Sequence, residues 1–408
     1  MLPAVLPIQH NKGEAQFSFE ELFFSRTDER GIILSGNSIF QRISMYQWEE
    51  LFKKPHNLIR HPDMPKAVFW LLWDTIKKGE PIGAYVKNRA KDGRYYWVFA
   101  IVTPVEGGYL SVRLKPSSAF FKIVEEEYKA LVSLEYSGKL APKDSALKLL
   151  DRLKELGFND YGEFMSAALS AEIASRNGNL SRDHDRALTC FDDLMQSAQT
   201  LIKHSNNIIS VYERNSHVPL NLQIQSGQLG EVGATIGVIA NNYNIISSEI
   251  KRDLGDFINS AQQVFKTIND GRFLFCVSKV QEEVISFFKE EPELEGVSNQ
   301  EEMVGLEKQR AAYMKKATDG LKRIGEKAEK FQSDCKSMKM LTSGLEVTRV
   351  MGKVESARLT DTKGGLNELI DDLESLQVSI ADSLKEIEQM NRQIQHNMQR
   401  VLRISAGQ

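Results

Sequence analysis

The sequence predicts an α+β chain, with a small domain of strands and short helices in its N-terminal part and a long, mostly α-helical coiled-coil or bundle region after it. Three stretches carry that expectation. Lys91-Asp92-Gly93-Arg94 lies between Ala84-Tyr85-Val86 and Tyr95-Tyr96-Trp97-Val98, and an Asp-Gly pair flanked by strand formers marks a hairpin. From Leu366 to Ile404, residues such as Leu369, Leu373, Leu376, Ile380, Leu384, Ile387 and Ile394 recur at the interval that keeps one helix face apolar. Ile208 to Glu249 reads as two apolar, helix-like arms that meet at the Gly-rich turn around Gly230 and Gly233.

In chain order, Thr27-Asp28-Glu29-Arg30-Gly31 is a polar turn, and Ile32-Ile33-Leu34 after it is short enough to be a strand. Asn37 to Glu50 brings Phe40, Ile43 and Trp48 together in short helices. Beyond the Asp-Gly hairpin, Ile101 to Val105 continues the strand, and Gly107-Gly108 turns it into Tyr109 to Leu114. Residues 120 to 135 form an exit helix, and two helices follow, from Asp144 to the stop at Gly157 and from Asn159 to Ser175. In the hairpin region Leu220, Ile224 and Leu229 space one stripe, and Ile236, Ile239, Ile246 and Ile250 space another. Two such stripes need cover from other helices of the chain or from a second copy. Asn269-Asp270-Gly271 is expected to interrupt the helix, and a further helix runs from Glu301 to about Lys339. The domains expected are 17–120, a mixed domain of strands and short helices; 121–180, a helical linker or adaptor; 181–268, a helical hairpin; and 269–408, a C-terminal helical region.

Composition excludes several functions. With a net charge of -3 there is no basic field for nucleic acid. Three distant cysteines, Cys190, Cys276 and Cys335, give neither a zinc knuckle nor a disulfide framework, so a reducing, cytoplasmic setting is expected. The N-terminus lacks a basic start of the signal-peptide kind, and no apolar run approaches bilayer length. Neither a Ser-His-Asp arrangement, nor a phosphate loop, nor a metal-ligand spacing is present, so no catalytic or metal residue is assigned and no enzyme is expected.

The candidate ligand residues cluster in the first domain. Arg60 offers a fixed fork of donors for a phosphate or carboxylate, and Asn88 has a donor and an acceptor for the edge of a heterocycle. His61, before Pro62-Asp63, is open to three roles: bonding a flavin, ligating a haem iron, or holding Asp63. Arg60, His61 and Asp63 would also suit a structural turn that holds no ligand.

Pro55-His56-Asn57, Arg60-His61-Pro62-Asp63-Met64-Pro65-Lys66-Ala67-Val68-Phe69, Gly79-Glu80-Pro81, Val86-Lys87-Asn88-Arg89 and Tyr96-Trp97-Val98 occur in this order and spacing. Together they resemble the flavin-binding PAS domain of bacterial aerotaxis receptors. The resemblance implies an FAD-holding redox sensor, with haem ranked behind FAD, and carries the flavin cleft over to Asn37, Arg60, His61, Asp63, Phe69 and Asn88. Where the family has a tryptophan after Gly-Glu-Pro, this chain has Ile82.

The hairpin, with Leu220-Asn221, Gly230-Glu231, Gly233 and Val238-Ile239-Ala240, resembles the signalling tip of methyl-accepting chemotaxis receptors. That resemblance implies a homodimer whose tip meets a chemotaxis histidine kinase and a coupling protein. The tip residues it marks are Glu213, Asn221, Gln225, Gln228 and Glu231. Glu213, Gln225 and Gln228 stand where the family has phenylalanine, glutamate and arginine, which points to a divergent partner. The function expected is sensory transduction of redox, oxygen or energy state in chemotaxis or aerotaxis, against the alternative of a PAS-containing scaffold that does not sense.

Overall fold

Antiparallel pairing organises the N-terminal domain in the computed structural model, which describes residues 13–138, 140–215, 217–290, 298–358 and 366–407. Strands β1 (Phe23–Thr27), β2 (Ile33–Gly36), β3 (Ile82–Arg89), β4 (Tyr95–Val105) and β5 (Gly108–Leu114) form one sheet in the order β2-β1-β5-β4-β3. The Asp-Gly turn joins β3 to β4 as expected, with Arg89 opposite Tyr95, and Gly108 opens β5 at φ +153°. A Cβ at Gly108 would lie 2.0 Å from the Thr27 carbonyl oxygen, so only glycine lets β5 approach β1 there. Strand β1 is an inner strand, between β2 and β5, yet its Phe-Phe-Ser-Arg-Thr run lacks the alternation that marks a strand in sequence. It is buried at four of its five residues because both of its faces are covered.

Short helices α1 (Ser38–Ser44) and α2 (Trp48–Leu51), a 3-10 turn at His56–Ile59 and helix α3 (Lys66–Ile76) connect β2 to β3. Helices α4 (Ala119–Gly138), α5 (Pro142–Glu155) and α6 (Tyr161–Asn179) follow the sheet. Helix α5 begins with Pro142 in its first turn and is followed by Gly157 at φ +94°, while the Asp160 side chain caps α6.

The remaining helices are α7 (Arg186–Arg214), α8 (Val218–Leu229), α9 (Ala234–Phe288), α10 (Asn299–Arg358) and α11 (Leu366–Ser405). Two expectations are corrected here. The first hairpin arm is not one helix, because Pro219 lacks an N–H and starts α8 anew. Asn269-Asp270-Gly271 does not interrupt α9, where the Asn269 carbonyl accepts from Ser166 Oγ of α6 at 3.0 Å. The narrow tip is present as a 3-10 turn over Gly230–Gly233, with Gly230 at φ +61°. A Cβ on Gly233 would come within 2.4 Å of the Ser226 carbonyl oxygen.

The chain divides into two compact units. One comprises residues 1–188 and 269–318, the other residues 189–268 and 319–408. In the first, one sheet face is closed by helices: Tyr161 Oη donates to the Gly83 carbonyl at 3.1 Å, and Phe24 meets Phe288 at 4.2 Å between centroids. In the second, helical arms alternate in direction. Phe257 packs on Phe331 at 4.6 Å, Asn391 Nδ2 donates to the Ala328 carbonyl at 2.8 Å, and Ser197 Oγ meets Gln393 Oε1 at 3.3 Å. Ile236, Ile239 and Ile250 are buried as expected, whereas Leu220 and Ile224 face outward and Leu222 turns inward. No helix among the described residues is long and apolar enough to cross a membrane.

Candidate ligand cavity

Between the sheet and α3 lies a cavity of about 190 Å³. Its walls combine aromatic and aliphatic side chains with a few polar groups: Phe69, Trp73 and Tyr109 on one hand, His56, Arg60, Asn88 and Arg113 on the other. Helix α3 carries Phe69 and Trp73 inward at the four-residue interval of one helix face, and Trp73 meets Tyr109 edge-on at 5.7 Å.

Arg60 and Asn88 are brought together by a backbone bridge between the segment after the 3-10 turn and β3. The Arg60 guanidinium lies over the Phe69 ring, 3.4 Å from its centroid. Asn88 is 2% exposed, and neither its Nδ2 nor Arg60 Nε has a hydrogen-bond partner. Such donors, cut off from water, cost roughly 1–3 kcal/mol each until an acceptor reaches them.

Arg113 on β5 is the most deeply placed cation, 2% exposed. It donates to Ser25 Oγ at 2.9 Å, to His56 Nε2 at 2.5 Å and to the Ser111 carbonyl at 3.4 Å. All three partners are uncharged, and burial lowers its pKa to about 10. His56 is held well below its ordinary pKa, first by burial and then by Arg113 and Arg60, so it is neutral and Nε2 keeps its lone pair.

The residues marked from sequence fall into two groups. Arg60, Phe69 and Asn88 line the cavity. Asn37 is buried elsewhere: its Oδ1 accepts from Phe24 N and Phe40 N, and its Nδ2 donates to the Leu22 carbonyl, which caps α1. His61 and Asp63 form a turn beside β3, outside the cavity walls. His61 Nδ1 accepts from Asp63 N at 3.1 Å, and Lys87 Nζ pairs with Asp63 Oδ2 at 2.7 Å. Burial followed by Lys87 lowers the His61 pKa. Burial raises that of Asp63, but the Lys87 hydrogen bond and charge outweigh it and the net shift is downward.

Ile82 is buried at the start of β3 and is not a cavity wall; aromatic cover comes from Phe69, Trp73 and Tyr109. Sequence reasoning did not mark His56, Trp73, Tyr109 or Arg113 as site residues. Of these only His56, inside Pro55-His56-Asn57, stood in a motif singled out on the sequence.

Unpaired donors, aromatic walls and two guanidiniums fit the carbonyl-bearing edge of a flavin ring. At the tip, Glu213, Gln228 and Glu231 are exposed, and Asn221 and Gln225 are half-buried.

A family model described as PAS fold matches residues 33–111. Over 112 residues the chain is 46% identical to the aerotaxis receptor of Escherichia coli (strain K12), a match that takes in 26% of this chain and 22% of that receptor.

Proposed function

We propose that this chain, whose first unit carries a PAS domain, is a cytoplasmic, non-enzymatic sensory transducer that holds FAD in the cavity and signals through its helices. The observation that carries the reading is the pair of buried, unpartnered donors, Arg60 Nε and Asn88 Nδ2, on residues that line a cavity against the PAS sheet. The name of the matched receptor supports a role in aerotaxis. A bound flavin supplies a redox-active ring whose charge changes with its oxidation state.

The chain's own residues give that change a route outward. Asn88 and Val86 line the cavity from β3, and Tyr85 on the same strand points to the opposite face. Tyr85 Oη donates to Glu172 Oε1 of α6 at 2.6 Å. Glu172 also accepts from Ser117 N, Ser118 N and Ser118 Oγ, just before α4. A shift of β3 therefore moves α6 and the root of α4 together. Farther along α6, Arg176 pairs with Glu283 of α9 at 2.8 Å.

The output in this reading is a homodimer whose tip meets a chemotaxis-type kinase and coupling protein, or a partner diverged from them to suit Glu213, Gln225 and Gln228. Losing the arginine fork at Gln228 and an apolar anchor at Glu213 would weaken docking of an ordinary kinase complex. Titration of FAD into the full chain tests the ligand directly. Asn88→Ala is expected to weaken binding about tenfold, because one ring-edge hydrogen bond worth roughly 1–2 kcal/mol is lost. Equal affinity in both proteins would remove Asn88 from the site.

A further inference from the structure

We propose that the cavity selects its ligand by charge, with Arg113 and Arg60 taking an anionic or carbonyl oxygen edge and rejecting a cation or an edge of N–H donors. The proposal rests on the ligand-binding reading of the cavity and assigns Arg113, with His56 behind it, as the selecting group.

The charged and the unpartnered groups of the cavity wall are donors, beside neutral hydroxyls and amide oxygens that can also accept. Asn88 Nδ2 and Arg60 Nε are buried donors with no acceptor. Arg113 spends its hydrogen bonds on a hydroxyl, a carbonyl and a neutral imidazole, none of which offsets its charge. Because His56 Nε2 accepts from Arg113, the neutral ring keeps its proton on Nδ1 and so adds another donor. No aspartate or glutamate is among the described residues that line the cavity. A third lining arginine, Arg30, is largely exposed and pairs with Asp28 at 3.5 Å, so it adds little to the field within.

A strap between β1 and β5 does not require this charge. Backbone pairing already joins the two strands, with Ser25 opposite Ser111, and Ser25 Oγ lies 3.2 Å from His56 Nε2, to which it can donate without help. An isolated buried guanidinium is costly, and a neutral apolar side chain of similar volume would fill the space with less penalty. What the guanidinium adds is a positive potential in a low-dielectric pocket, where charge-assisted hydrogen bonds are about twice as strong as neutral ones. The chemistry that this matches is a flat ring with carbonyl oxygens on one edge, or a small ring that carries a carboxylate.

The experiment uses the full chain stripped of ligand and three probes followed by fluorescence and thermal shift. Lumiflavin is a neutral ring with a carbonyl edge, benzoate is a single-ring anion, and proflavine is a flat tricyclic cation with amino groups. Lumiflavin or benzoate is expected to bind, and proflavine to bind neither well nor competitively. Arg113→Gln and, separately, Arg60→Gln should each weaken the bound probe by about tenfold or more, with partial recovery in Arg113→Lys. Arg60→Gln sits at a half-buried position and keeps the test valid if Arg113→Gln fails to fold. Arginine-dependent benzoate binding without lumiflavin binding would sink the flavin reading and leave the charge selection standing. Lumiflavin binding that is indifferent to both arginines, proflavine binding of comparable strength, or no binding of any probe would overturn the charge selection.

Discussion

Arg113 separates what stabilises the fold from what serves the ligand. Its guanidinium is almost completely buried among neutral partners, and burial lowers its pKa against a smaller upward pull from Tyr96. In the ligand-free protein, Arg113→Met is therefore expected to be neutral or stabilising by about 1–3 kcal/mol, read as an unchanged or raised denaturant midpoint. The same variant should bind flavin more weakly; a large loss of stability would instead make Arg113 a structural strap. Arg60, Phe69 and Asn88 were legible because Arg-His-Pro-Asp-Met-Pro and Val-Lys-Asn-Arg are distinctive runs. Arg113 was not, since a lone arginine in Tyr-Leu-Ser-Val-Arg-Leu reads as a strand's solvent-facing position. Only the sheet order, which puts β1 beside β5, encloses it. Asn37 shows the converse: an asparagine before a helix fits a cap as well as a ligand contact, and its hydrogen bonds are those of a cap.

At the scale of elements, two buried carboxylates tie the helices to the PAS domain. Glu135 of α4 accepts from Lys66 N and Ala67 N at the start of α3, and from Ser145 Oγ of α5. Three helices are thereby fixed around one charge, placed where the α3 dipole favours it. Glu172 does the same for β3, α4 and α6. Its Oε1 accepts from two hydroxyls and its Oε2 from two backbone N–H groups, so an amide would either set N–H against N–H or force both hydroxyls to turn and accept, with the charge lost in both cases. Glu172→Gln is expected to lower unfolding stability by about 2 kcal/mol, and Tyr85→Phe by about 1 kcal/mol. Chemical denaturation checks both, and equal small effects would mean that Glu172 is not the hub. The hairpin at Asp92-Gly93, the Gly230–Gly233 turn and the last helix were legible because turn chemistry and helical period are local signals. Strand β1 and the continuity of α9 through Asn269-Asp270-Gly271 were not, because tertiary packing decides them.

For the molecule as a whole, the composition of the hairpin bears on assembly. From Asn215 to Ser248 there is no lysine or arginine, and Glu231 is the one carboxylate. The inner stripe is covered within the chain, yet Leu220, Ile224, Val238 and Ile245 are each at least half exposed. Exposed apolar residues in a charge-poor skin of amides and hydroxyls suit a homotypic interface, where no like charges oppose one another. Light scattering is expected to give a dimer at protein concentrations on the order of tens of micromolar. Leu220→Lys together with Val238→Lys should shift it toward monomer, and a monomeric parent protein would contradict the assembly. The proposed sensing requires a flavin in the PAS cavity. Its most direct test is the visible absorption spectrum of the purified full chain after incubation with FAD and removal of free ligand by gel filtration. The prediction is a structured flavin band at a stoichiometry near one per chain, diminished in Arg60→Gln; a colourless protein that takes up no FAD would contradict it.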